Sequence, residues 1–133
     1  MKVVFDNNLS PALARALQEL FRGQHEIVAL RDKFHGAPTD VEWITELSRD
    51  GTWVVVSGDR RITRNKAEYH AFRNSRLVGF FLSKGLYKSK VTKQMERILA
   101  LWDAIEAIAL TVQGGAMFEL QMKSARVQQL KDR

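Results

Sequence analysis

WVVVSGD, residues 53–59, decides how the chain is read. One aromatic and three β-branched residues run without a polar interruption between Gly51 and Gly58. A strand with no alternation is apolar on both faces, which is the signature of a parallel sheet covered by helices. The run then ends on Asp59. The start of the chain repeats the pattern, because the apolar stretch from Lys2 to Phe5 is followed at once by Asp6. Parallel strands put their carboxyl ends on one edge, where α/β sheets hold ligands, so the two acids can converge despite 53 intervening steps of sequence.

The remaining elements follow from spacing and capping. Ser10 and Pro11 open a helix that carries Leu13, Leu17, Leu20 and Phe21 until Gly23 stops it. Glu26 to Leu30 reads as a second strand, and RDKFHGAP (residues 31–38) as a loop. Thr39 with Glu42 forms a capping-box pattern for a helix to about Asp50, and Asn65 with Glu68 repeats it for a helix to about Asn74. Leu77 to Leu82 is another apolar strand. Val91 to Val112 is predicted as one long helix with Met95, Ile98, Leu99, Trp102, Ile105 and Ile108 or Ala109 on its apolar side. After Gly114 and Gly115, Met117 to Met122 alternates like a final strand, and SARVQQLKDR (residues 124–133) is a polar tail. Strands alternating with helices require crossover connections, which imply an α/β fold with a mainly parallel central sheet.

Composition narrows the chemistry. The 133 residues, 45% of them hydrophobic, suit one compact domain. The absence of cysteine excludes disulfides, thiolate zinc sites and a cysteine nucleophile. No stretch approaches the roughly 20 apolar residues of a membrane span, and no basic and apolar signal region opens the chain, so a cytoplasmic protein is expected. Charge is unevenly placed: residues 1–59 carry a net −3, residues 60–97 a net +9, and residues 98–133 balance. A basic block beside an acidic half can attract a polyanion while leaving a separate spot for cations.

Asp40 opens the helix before the third strand, and in a right-handed β-α-β unit that end lies near the same sheet edge as Asp6 and Asp59. Glu68, early in the next helix, joins by the same argument. Several carboxylates within about 4 to 6 Å repel one another unless a cation sits among them, and oxygen ligands select Mg²⁺ or Mn²⁺. Such an ion beside a basic block suits a phosphodiester substrate. Each acid also has a plainer role open to it. Asp40 can be a first-turn acid, Glu68 the return half of the Asn65 cap, and Asp6 and Asp59 turn residues. Arg60, Arg61 and Arg64 directly follow the third acid and suit bidentate phosphate binding; Lys66, Arg73, Lys84, Lys88, Lys90 and Lys93 can extend the track. His25, His35 and His70 receive no catalytic role, and Trp43, Trp53 and Trp102 follow core spacing.

FDNNLSP (residues 5–11), APTDVEWI (37–44) and VVVSGDRRITRNKAEYHAF (54–72) together resemble the PIN-like domains of the VapC-type toxin group. The likeness covers residues 1–112, a PIN-like nuclease domain, and leaves residues 113–133 as a strand and polar tail that either completes the domain or extends it toward a partner. It implies a three-layer α/β/α fold and a Mg²⁺- or Mn²⁺-dependent endoribonuclease, the toxin of a type II toxin–antitoxin pair. Its implied catalytic and metal-binding acids are Asp6, Asp40, Asp59 and Glu68, with Asn7 and Ser57 supporting them and Arg60, Arg61, Arg64 and Lys66 on RNA. An antitoxin protein and a second copy of the chain are its implied partners. Asp40 and Glu68 depart from the better-known PIN spacing. The competing expectation is a non-catalytic nucleic-acid-binding module of the same fold. A haloacid-type phosphatase is disfavoured by Asn8, where a second aspartate belongs, and no Walker-type glycine loop is present.

Overall fold

The computed structural model describes residues 1–58 and 60–131, without the side chain of Arg61. Its centre is a six-stranded sheet of order β2-β1-β3-β4-β5-β6, built from β1 (Lys2–Phe5), β2 (Glu26–Ala29), β3 (Trp53–Ser57), β4 (Val78–Leu82), β5 (Met117–Leu120) and β6 (Gln128–Leu130). The first five strands are parallel and β6 runs antiparallel against β5. The expected α/β architecture is therefore present.

The two-residue strand period sorts the sheet into two cores. Val3, Phe5, Val54, Val56, Val78 and Phe80 face one layer, which contains α1 (Pro11–Leu20), α7 (Val91–Ala100) and α8 (Trp102–Thr111). Val4, Trp53, Val55, Phe81 and Met117 face the other. There they meet α2 (Leu30–Lys33), α3 (Asp40–Asp50), α4 (Arg61–Arg64) and α5 (Lys66–Arg73). The sheet thus lies between two helical layers, and the three tryptophans are buried as their spacing suggests.

Local chemistry explains where the helices begin. The Ser10 hydroxyl accepts Ala12 N–H ahead of Pro11, and Thr39 and Glu42 form a reciprocal capping box. The Asn65 carboxamide accepts Glu68 N–H to start α5. Arg73 ends α5 with its carbonyl against Gly115, where a Cβ would stand 2.2 Å from that oxygen. With φ at +90°, this position requires glycine twice over.

Four expectations need correction. The end of the expected strand at Leu30 and residues 31–33 of the expected loop form α2, and α4 and the similarly short α6 (Lys84–Tyr87) were not foreseen. The long C-terminal helix is two: Leu101 leaves helical geometry at φ −100° and ψ 3°, although Leu101 N–H still reaches Arg97 and Ile105 N–H reaches Leu101. Its buried face uses Leu101, and Leu99 is exposed, as is Leu20 on α1. The polar tail supplies β6, which pairs Gln128–Leu130 with Met117–Glu119. Among the described residues no helix is long and apolar enough to cross a membrane.

Candidate active site

Strand order reverses between β1 and β3, whose neighbours β2 and β4 lie on opposite sides, and the crevice at such a switch point is where open α/β sheets hold ligands. Val56 lies opposite Phe5 in register, so Asp6 and Ser57 leave the sheet side by side. Asp6 is only 3% exposed. Its Oδ2 accepts the Ser57 hydroxyl at 2.9 Å and its Oδ1 accepts Asn7 N–H at 2.7 Å. Asp6 N–H in turn donates to the Val56 carbonyl, which extends the strand ladder one residue beyond β1. A carboxylate withdrawn from water needs such donors, because its desolvation is otherwise costly.

Asn8 completes the arrangement and was not singled out in the sequence. Gly58 N–H can only donate, so the Asn8 atom 2.9 Å away is its carboxamide oxygen. The Asn8 amide then donates to Ser57 Oγ at 3.3 Å, and the Ser57 hydroxyl donates its hydrogen bond to Asp6. Asn8 therefore ties the turn after β3 to the turn after β1. Arg31, on the unforeseen α2, adds a 3.3 Å hydrogen bond from Nη2 to the Asn7 carbonyl.

Two of the other acids stand at helix starts. Asp40 is the first residue of α3, and its Oδ1 accepts the Trp43 indole N–H at 2.8 Å. Glu68 lies in the first turn of α5 with Oε2 sealed from solvent. Among the described residues, no three of the aspartates, glutamates and histidines come together as a group able to hold a metal ion. Asp59 and the Arg61 side chain lie outside the described residues. The oxygen-only donors around Asp6 suit a hard divalent cation by their chemistry.

A cleft of about 570 Å³ opens between α4 and α6 at the carboxyl end of β4. Arg60, Arg64, Lys84 and Lys88 ring it and Tyr87 forms a wall. That ring also packs on Gly58, where a Cβ would stand 2.3 Å from Tyr87 Cε1. Glycine is thus needed at 58 for the close approach of an aromatic ring. Glu119 Oε2, on β5, holds Arg60 Nη2 at 3.2 Å. Lys66, expected on the same track, is exposed on α5 and does not line the cleft.

A further cavity, about 660 Å³, lies at the opposite end of the sheet around Gly23–Ile27, by His25. His25 bonds there to the terminal amine of Met1 at 3.1 Å, far from the switch point. His35 and His70 are exposed.

No curated protein and no solved structure matches the sequence. Residues 1–84, more than half of the chain, match the family described as PIN like domain. This stretch contains both strand ends of the switch point, the Asp6, Asn8 and Ser57 linkage, and α3 and α5. The chain belongs to the PIN-like domain family, whose members are generally nucleases.

Proposed function

We propose that the protein is a Mg²⁺- or Mn²⁺-dependent endoribonuclease of the VapC type, the toxin of a type II toxin–antitoxin system. The observation that supports it most is the buried Asp6 carboxylate at the switch point, held by Ser57, in a sheet that carries a cationic cleft at the carboxyl end of β4. In this reading Asp6 and Asp59, with Asp40 and Glu68, hold the ion. A bound divalent ion supplies a water of lowered pKa and offsets charge on the phosphoryl oxygen. The chain's own side chains do the rest. Ser57 and Asn7 fix the Asp6 carboxylate, and Arg60, Arg61, Arg64 and Lys66 take phosphate oxygens and orient the scissile bond.

Cleavage of a labelled RNA in Mn²⁺ tests this reading. Asp6→Asn and Asp59→Asn proteins, shown by circular dichroism to be folded, should fall to background; a wild-type rate in either would sink the proposal. The cationic cleft lined by Arg60, Arg64, Lys84 and Lys88 also suits a second reading, a nucleic-acid-binding module without catalysis. Calorimetry separates the two: no Mg²⁺ or Mn²⁺ uptake alongside salt-sensitive RNA binding supports the module. The antitoxin is proposed as an acidic partner, drawn by the net +9 of residues 60–97. That part fails if no neighbouring reading frame relieves toxicity on co-expression. Exposed Leu99 and Leu110 support a homodimer, to be read by sedimentation.

A further inference from the structure

The cleft between α4 and α6 combines three properties that a merely basic surface lacks. Its volume of about 570 Å³ falls in the range of small-molecule sites and exceeds what a lone phosphate needs. Its charge comes from four cations on two separate elements, Arg60 and Arg64 from the α4 segment and Lys84 and Lys88 from the α6 segment. Its wall is aromatic. Tyr87 is half-buried, touching Gly58 with one part of its ring and lining the open cleft with another.

The wall is also fixed in place. The Ser83 hydroxyl accepts Leu86 N–H at the start of α6, and Ser83 N–H donates to the Leu120 carbonyl, tying α6 to β5. At the other end Gln94 of α7, buried to 5% exposure, donates its amide to the Tyr87 carbonyl at 3.0 Å. The same amide reaches the Leu86 carbonyl at 3.4 Å, so one buried side chain pins the end of α6 and holds the tyrosine against Gly58, just past β3. Glu119 likewise fixes Arg60 at the rim and leaves its remaining N–H groups for an anion.

We propose that this cleft seats one nucleotide of a single strand, with its phosphate on Arg60, Arg64, Lys84 and Lys88 and its base against the Tyr87 ring. A base paired in a duplex keeps its faces stacked on its neighbours, so the ring selects unpaired strands. Stacking on an aromatic side chain tolerates every base, and the cations track the backbone; together they give affinity without sequence readout. The inference rests on the nuclease reading for the identity of the ligand, but it concerns binding and can be tested without cleavage.

The test is fluorescence anisotropy in EDTA with three probes: a labelled eight-nucleotide oligouridylate, the same backbone with abasic positions, and a duplex of equal length. Tyr87→Ala should weaken oligouridylate binding roughly 5- to 150-fold and leave the abasic probe unchanged, while Tyr87→Phe keeps wild-type affinity for both. Tyr87→Leu, which preserves an apolar contact on Gly58, repeats the comparison if the alanine protein is unstable. Lys84→Gln with Lys88→Gln should weaken both single strands and lower the slope of log affinity against log salt by about 1.4. Equal loss on intact and abasic probes, no loss at all, or a duplex bound as tightly as the single strand overturns the inference. A protein that never cleaves RNA but shows the Tyr87 pattern defeats the nuclease reading alone. One that cleaves with Tyr87 variants binding like wild type defeats the cleft alone.

Discussion

At the scale of single residues, the site depends on Asn8 as much as on the acid beside it. Its carboxamide is the only chemistry that can both accept Gly58 N–H and donate to Ser57 at that place, since a carboxylate lacks the donor and an alanine lacks both. Asn8→Ala leaves the buried Gly58 N–H without its acceptor, at a cost of about 1–3 kcal/mol, and frees the Ser57 hydroxyl to turn from Asp6. Thermal denaturation should register the stability loss. Under the nuclease reading, RNA cleavage should fall further than the lost folded fraction accounts for, whereas an equal fall in both measurements would mean that Asn8 only holds the fold. Asp6 and Ser57 were legible because each closes an apolar run. Asn8 was not, because DNN offers two amides and only the folded turn shows which one crosses to β3. Tyr87 was equally hidden: its partner is a glycine just past a distant strand, and no periodicity links them.

Among the elements, the ones read correctly announce themselves by composition: β3 by its uninterrupted apolar run, and α3 by the Thr39 and Glu42 box. The ones missed are short or polar. Four-residue helices such as α2, α4 and α6 complete barely one turn and show no period, and the break at Leu101 involves neither glycine nor proline. Edge strand β6 is half or fully exposed along its length, so it lacks an alternating apolar face. Residues 113–133 matter nonetheless, because β5 pairs with β4 and buries Met117, Phe118 and Leu120. We expect a chain ended at residue 112 to lose several kcal/mol, given about 1.5–3 kcal/mol for each large apolar side chain withdrawn from water. Against a typical total of about 5–15 kcal/mol, that protein should melt far lower or aggregate through the bared β4 edge. Calorimetry and gel filtration of the truncated chain check it; an unchanged melting temperature would make residues 113–133 an appendage rather than part of the domain.

Across the whole molecule, the order of strands rather than any one motif brings Asp6 and Asn8 beside Ser57 and Gly58. The parallel sheet was legible from alternation of elements, and with it the prospect that strand ends would meet. Where Asp40 points was less so, since it turns to Trp43 and a helix start permits several side-chain directions. The same architecture governs how the protein comes into being. The bond from Ser57 to Asp6 spans 51 residues, and β1 pairs with both β2 and β3 in the middle of the sheet. Contacts so far apart along the chain must wait for loop closure, which makes such folds slow to assemble. A nascent chain still short of β3 carries Asp6 with no partner strand on that side, so during synthesis the crevice cannot exist until the ribosome has released nearly half of the polypeptide.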